Sequence, residues 1–175
     1  MKNLNTYINE ALKLGKSRYK YHPKTKEELQ DIITQRIKDE GNEVELNDID
    51  VSNITDMSML FENLKDFNGD ISKWNVSNVT NMYGMFAMCI LFNKDISGWD
   101  VSKVNNMRSM FFNCESFNQN ISDWDVSNVT NMKSMFFMCE IFNQDISSWD
   151  VSNVQTKDRM FDDCPIEEKY KPKFK

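Results

Sequence analysis

A cassette of 25 residues recurs through most of this chain without an insertion or deletion, and this period constrains the fold more than any other feature. Every tryptophan and every cysteine stands at one of its positions. These residues are Trp74, Trp99, Trp124, Trp149, Cys89, Cys114, Cys139 and Cys164. A period of roughly 20 to 50 residues is typical of proteins built from stacked coils, each covering the apolar face of its neighbour. The sequence therefore predicts such a stack.

Within a coil, the apolar spacing predicts one strand and one helical turn. In the second coil, Trp74 and Val76 fall on one side of an extended segment at about 72–77. The apolar residues of 79–86 then recur at spacings of three and four, which predicts a helical or 3₁₀ return. One strand and one helical turn per coil is the arrangement of a leucine-rich repeat. We therefore expect an α/β repeat fold, a short right-handed solenoid whose strands form a parallel sheet.

Residues 1–45 depart from the period and predict a cap of a helix, a short strand and a second helix. Apolar residues in 4–12 predict the first helix, and the alternating residues 19–22 predict the strand. Thr25 followed by Glu28 is typical of a capping box that starts the second helix. Gly41 is its natural end.

The rest of the chain divides into coils and a tail. Five leucine-rich-like coils are expected over residues 46–164, and the tail 165–175 is expected to close the far end. The coils begin at residues 46, 71, 96, 121 and 146. We expect cap, coils and tail to form a single structural domain.

Two sequence motifs in the coils resemble those of a known protein family. They are Phe-Asn-Gln-Asp-Ile-Ser-Ser-Trp-Asp-Val-Ser-Asn-Val (142–154) and Asn-Met-Lys-Ser-Met-Phe (131–136). They resemble BspA-like leucine-rich repeats, and more narrowly the branch first noted as a domain of unknown function in mycoplasma surface lipoproteins. The resemblance covers about residues 46–164. It implies a right-handed solenoid used in recognition, with many exported relatives involved in adhesion, and it assigns no ligand-binding residue here.

Composition narrows the classes of function. The chain carries 21 Lys and Arg against 27 Asp and Glu, and an acidic surface disfavours nucleic acid. No apolar stretch has the length of a membrane span. The start lacks the apolar core of a secretory signal, so we expect the cytoplasm, or the cell surface if a signal was removed.

Catalysis finds little support in the sequence. His22 is the single histidine and precedes Pro23, with no serine or cysteine motif around it. There is no Cys-x-x-Cys pair for zinc and no glycine-rich phosphate loop. Equivalent cysteines of adjacent coils are poorly placed for disulfides, so buried free thiols are expected. We predict neither an enzyme nor a cofactor.

A polar stripe beside the predicted strands is the first candidate binding surface. Its candidate residues are Ser77, Ser102, Ser127, Asp100 and Asp125. Stacked carboxylates at Asp100, Asp125 and Asp150 could recruit Ca²⁺, which prefers oxygen ligands. Alternatively, each Asp accepts hydrogen bonds from its own turn amides. Asn75 interrupts the charge and no compact Asp-x-Asp-x-Asp-Gly loop is present, so the second interpretation is favoured.

The second candidate surface is apolar. Phe112, Phe137 and Met138 follow the repeated Phe, at positions where Ala87 and acidic residues also occur. Packing between coils therefore does not require large apolar groups there, and these three residues are expected to form a partly exposed patch. Leu91 and Ile141 lie nearby, where the third coil has a polar Ser116. The alternative is that the rings fold against neighbouring coils.

A column of asparagines is expected to be structural. Asn68, Asn93, Asn118 and Asn143 share one position of the period. An amide carries both a donor and an acceptor, so the column can satisfy backbone groups at the corner between coils.

These observations favour a non-enzymatic protein-binding scaffold with a protein partner of unknown identity. A Ca²⁺-dependent or carbohydrate-binding surface adhesin and an intracellular modulator of another protein remain alternatives. We expect a monomer, and end-to-end association of coils is also open.

Overall fold

The computed structural model describes residues 19–174. In this range the named elements are one α-helix, α1 (Lys26–Glu40), and one 3₁₀ helix, η1 (Glu168–Tyr170). The first helix predicted at 4–12 lies outside the described residues. The coils between α1 and η1 consist of turns and short irregular segments.

The predicted leucine-rich-repeat solenoid with a parallel sheet is wrong. Pairing within the described residues is limited to isolated parallel bridges, which do not extend into strands. Four of them join one position of successive coils, and the strand predicted at 19–22 is reduced to a single bridge. The four bridges are Asp56 with Asn81, Asn81 with Asn106, Asn106 with Asn131, and Asn131 with Thr156. Residues 19–174 therefore form a stack of irregular coils without a sheet.

Two tight turns replace the strand predicted at 72–77. The amide of Trp74 donates to the Ile71 carbonyl at 3.1 Å, and the amide of Val79 donates to the Val76 carbonyl at 2.8 Å. In these turns the serine amide donates a hydrogen bond to the side-chain oxygen of the Asp or Asn two residues earlier, as Ser77 does to Asn75. Asp and Asn side chains stabilise turns in this way in competition with strands. Backbone groups that a sheet would use are thus satisfied within the coil.

Overlapping turns also replace the helical return predicted at 79–86. Each turn is closed by a hydrogen bond from an amide to the carbonyl three residues earlier, at 2.9–3.2 Å. The pairs are Met85 with Met82, Ala87 with Gly84, and Cys89 with Phe86. Gly84 and Met88 have positive φ, at 58° and 63°, which interrupts a right-handed helix. The apolar spacing of three therefore comes from repeated turns.

The amides left over by these turns join one coil to the next. Every second residue of the return donates to the following coil, at 2.7–3.0 Å. The donors and acceptors are Met82 to Asn106, Gly84 to Arg108, Phe86 to Met110 and Met88 to Phe112. The same pattern begins at residue 57 in the first coil and at residue 107 in the third. Most backbone amides of this segment are thereby paired either within their coil or with a neighbouring coil.

Apolar columns fill the interior of the stack. Neighbouring rings of the main Phe column lie 5.3–5.9 Å apart between centroids and are nearly parallel. The column consists of Phe61, Phe86, Phe111, Phe136 and Phe161. A second stack of Phe rings runs beside it, with centroids 5.9–6.1 Å apart. Burial of each such ring stabilises the fold by about 1.5–3 kcal/mol.

Tryptophan and cysteine add polar bonds to this interior. Each indole Nε1 donates to a carbonyl 28 residues earlier, as Trp99 does to Ile71 at 3.2 Å. The buried thiols also donate to carbonyls of the preceding coil, as Cys114 does to Phe86 at 2.9 Å. All four cysteines of the chain are free thiols.

Two amide columns bind the corners of the coils. In the predicted column, each side-chain oxygen accepts the amide of the next asparagine at 3.0–3.1 Å, so this prediction is confirmed. A second column was not predicted, although it shows the same 25-residue spacing. In it, the amide of Asn81 donates to Asp56, and that of Asn106 donates to Asn81, both at 3.1 Å.

Helix α1 covers the interior of the first coil. Its capping residues are confirmed: Thr25 Oγ1 accepts the Glu28 amide at 3.2 Å, and Gly41 ends the helix at a φ of 88°. Arg36 ties it to the coil through Asp48 at 2.8 Å and also pairs with Glu40 at the end of the same helix. Burial alone would lower the pKa of Arg36, but these carboxylates raise it above its usual range.

The tail packs against the last coil. The carbonyl of Tyr170 accepts the amide of Ile146 at 3.0 Å, and Phe174 is partly buried against the core. Lys157 Nζ lies 4.3 Å from the centre of the Phe174 ring. The tail thus shields part of the terminal coil.

Burial of the thiols predicts their reactivity. It raises the pKa of Cys89 from 9.0 to about 12, and it also raises the pKa of Cys114, Cys139 and the less buried Cys164. A rise of three units lowers the thiolate fraction about a thousandfold. At pH 8 we expect a disulfide reagent to modify Cys164 alone in the folded protein and all four thiols after unfolding. Rapid modification of the folded Cys164→Ser variant would contradict this.

The left-handed turn residue at Gly84 generates a second prediction. A Cβ there would meet neighbours at 3.5 Å or more, so space is not limiting, but its φ of 58° is strained for other residues. Gly84→Ala should lower the free energy of unfolding by about 1 kcal/mol, measured by urea denaturation. The matched control is Gly98→Ala, where no atom lies within 4 Å. Equal losses in both variants would show that the left-handed turn is not the cause.

Candidate functional site

The polar stripe proposed from the sequence is engaged in its own turns. Each serine hydroxyl donates to the Asp or Asn two residues earlier at 2.6–2.7 Å, and its amide does so at 3.0–3.2 Å. The pairs are Asn75 with Ser77, Asp100 with Ser102, and Asp125 with Ser127. One side-chain oxygen of each pair therefore stabilises a turn, as in the second interpretation above.

The position and hydrogen bonds of the Asp side chains are also relevant to the alternative of a Ca²⁺ site. Asp100, Asp125 and Asp150 are exposed, and each accepts the amide of the serine two residues later. The Ser102 hydroxyl, and then its amide, lower the pKa of Asp100. Between residues 19 and 174, no three side chains of the His, Cys, Asp or Glu type gather as metal ligands. The structure thus places these carboxylates along a stripe rather than around one point.

The single histidine has a structural environment. His22 Nδ1 lies 3.3 Å from Asp50 Oδ2, and the Ser52 hydroxyl also donates to Asp50. Burial opposes ionisation of Asp50, but the bonds from Ser52 and His22 lower its pKa overall. The pair joins the segment before α1 to the first coil.

The predicted aromatic patch is less exposed than expected. The rings of Phe112 and Phe137 stack at 5.2 Å, with 6° between their planes. The Arg159 guanidinium covers Phe137 at 4.3 Å, and Phe137 is only 7% exposed. Phe112 is half-buried, whereas Met138 is 40% exposed. Of these three candidates, Met138 is the one that offers an accessible apolar side chain.

The exposed apolar side chains concentrate in one turn of the coils. Large apolar residues exposed in the described part of the chain are Met59 (39%), Leu91 (47%), Met138 (40%) and Ile141 (50%). The last three belong to equivalent turns, which we call the turn face: residues 87–91, 112–116 and 137–141. The sequence-based candidates omitted Leu91 and Ile141. The sequence did contain evidence for these two residues. The equivalent position of the third coil holds Ser116, so the coil does not require an apolar residue there.

Backbone bonds hold the turn face together. The amide of Met88 donates to the Phe112 carbonyl at 2.7 Å, and the amide of Ser116 donates to the Ile90 carbonyl at 3.0 Å. Hydrogen-bonded neighbours of this kind are about 5 Å apart. Leu91 and Ile141, which are two coils apart, are therefore separated by about 10 Å along the stack.

The turn face also carries negative charge that no residue of 19–174 pairs. Glu115 and Glu140 occupy the same position of adjacent coils, directly before Ser116 and Ile141. Neither makes an ion pair or side-chain hydrogen bond with any residue of 19–174. At the edge of the face, Asp162 pairs with Arg159 at 3.3 Å. The site can thus offer apolar contacts together with carboxylates.

As to membranes, no helix in the described range has the length and apolar character needed to cross a bilayer.

Comparison with known proteins places the chain in a family. The model of a family described as a mycoplasma protein of unknown function, DUF285, matches residues 29–121 and again 98–169. Neither curated proteins nor solved structures showed a match. The two overlapping matches cover most of the 175 residues, including the greater part of α1 and all five coils. The chain therefore belongs to this mycoplasma family of unknown function.

Proposed function

We propose that this chain is a non-enzymatic scaffold that binds a protein partner through the turn face. The observation that carries the proposal is the exposure of Leu91, Met138 and Ile141 in equivalent turns of a hydrogen-bonded stack. Exposed apolar patches on soluble proteins often mark protein contacts. A surface held by backbone bonds also loses little conformational freedom when a partner binds.

Packing does not account for these exposed residues. The interior is already filled by the Phe, Trp, Met and Cys columns, whose side chains are almost fully buried in the middle coils. Ser116 lies between Leu91 and Ile141 in the same column, so a small polar residue is compatible with the turn. Apolar side chains at this position are therefore available for another molecule.

The broader relation to BspA-like proteins agrees with this proposal, since that resemblance implies recognition rather than catalysis. We infer kinship with that group from the repeated words alone. The Ca²⁺-dependent adhesin has less support, because the Asp residues of the polar stripe lie apart and accept bonds from their own turns.

The proposal is tested with the double variant Leu91→Ser, Ile141→Ser. Ser116 is the precedent within the chain, so the variant should fold and melt within about 3 °C of the parent. Loss of two apolar anchors should weaken partner binding at least a hundredfold. Affinity capture from the native host, followed by identification and a measured Kd, checks this.

The matched control is Asp100→Asn with Asp125→Asn, which alters the polar stripe and leaves the turn face intact. It should retain the partner. If the serine variant retains the same partner with unchanged Kd while the control loses it, the turn face is not the binding surface.

A further inference from the structure

We infer that the turn face takes a basic amphipathic helix of a partner protein. Apolar side chains of the helix would cover Leu91, Met138 and Ile141, and its Lys or Arg side chains would meet Glu115 and Glu140. The inference rests on the proposed function, because it names the chemistry of the partner at the same surface.

Charge is the first argument. The equivalent turns of all five coils, residues 62–66, 87–91, 112–116, 137–141 and 162–166, hold six acidic residues and one basic residue, Lys65. The acidic residues are Glu62, Asp66, Glu115, Glu140, Asp162 and Asp163. The apolar side chains of the middle coils are therefore bordered mainly by negative charge, with the Arg159 guanidinium over Phe137 as a neighbouring cation. A cationic partner is attracted by such a surface, and an anionic one is repelled.

The two central carboxylates are available for such a partner. Some other acidic residues of the chain are paired, as Glu43 with Lys94 at 2.9 Å and Asp162 with Arg159 at 3.3 Å. Glu115 and Glu140 have no such partner among the described residues. Ion pairs formed there on binding would therefore not replace pairs between described residues.

Spacing is the third argument. Leu91 and Ile141 lie two coils apart, which is about 10 Å. Residues seven apart on a helix are separated by about 10.5 Å along its axis. The anchors at positions i and i+7 of one helix face therefore fit the distance between Leu91 and Ile141. Helices that bind a groove or patch in this way use anchors at i, i+3, i+4 and i+7. Nucleic acids and anionic lipid surfaces do not combine apolar anchors with positive charge, and the carboxylates of the turn face repel them.

The experiment uses the full chain and two labelled 18-residue peptides with the same leucine face. One peptide carries lysine on its polar face and the other carries glutamate. Binding is followed by fluorescence anisotropy at 50 and 300 mM NaCl. We expect the lysine peptide to bind at least tenfold more tightly than the glutamate peptide. Added salt should weaken its binding.

Three variants locate the interaction. Glu115→Gln with Glu140→Gln should weaken the lysine peptide about threefold to tenfold and reduce the effect of salt. Asp100→Asn with Asp125→Asn removes the same charge from the polar stripe and should leave its affinity unchanged. Leu91→Ser with Ile141→Ser should abolish binding. Thermal melting of each variant confirms that it is folded.

The outcomes separate this inference from the proposed function. Equal weakening by the glutamate and aspartate variants overturns the inference, since attraction would then come from overall charge. Equal binding of both peptides, lost in the serine variant, overturns the basic-helix assignment but supports an apolar binding surface. Peptide binding that the serine variant leaves unchanged contradicts both. Absence of measurable binding of the lysine peptide overturns the inference, while capture of a native partner through Leu91 and Ile141 would still uphold the proposed function.

Discussion

The structure depends on how the backbone of each coil divides its hydrogen bonds. In the return segment, alternate amides close turns within the coil, and the others donate to the next coil at 2.7–3.0 Å. Left-handed residues at Gly84 and Met88, and at the equivalent positions of the other coils, make this division possible. Because the amides of the segment are paired in this way, irregular coils can stack closely around an apolar interior without forming a sheet.

Packing between coils then accounts for most of the residues that suggest chemistry. Thiols lie inside the stack and donate to carbonyls, and burial raises the pKa of Cys89 and Cys114. Indole rings and the methionines of the buried columns fill the same interior. Asp and Ser residues of the polar stripe stabilise the turns between buried segments. Function is therefore better sought where a coil differs from its neighbours in ways that packing does not require.

The turn face is such a place. Its columns change between apolar, polar and acidic residues from coil to coil, while the columns behind it keep their Phe and Cys. Leu91 and Ile141 are exposed at the column where the third coil has Ser116, and Glu115 and Glu140 carry charge without an ion pair in the described chain. Stacking brings these residues onto one surface, although they are up to 50 positions apart in the sequence.

The sequence by itself determined the period, the buried columns, the caps of α1 and the asparagine column, because identical spacing must place equivalent residues in register. It did not decide between strand and turn, since apolar residues at spacings of two and three suit both, and the left-handed residues include Met88 and Ser109 as well as Gly84. Only the tertiary structure showed that turns replace both predicted elements. The tertiary structure also decided which apolar side chains are exposed. Phe137 is covered by Arg159, which follows it by 22 residues in the sequence. Leu91 and Ile141 remain exposed because no residue of a neighbouring coil extends over them far enough to bury them.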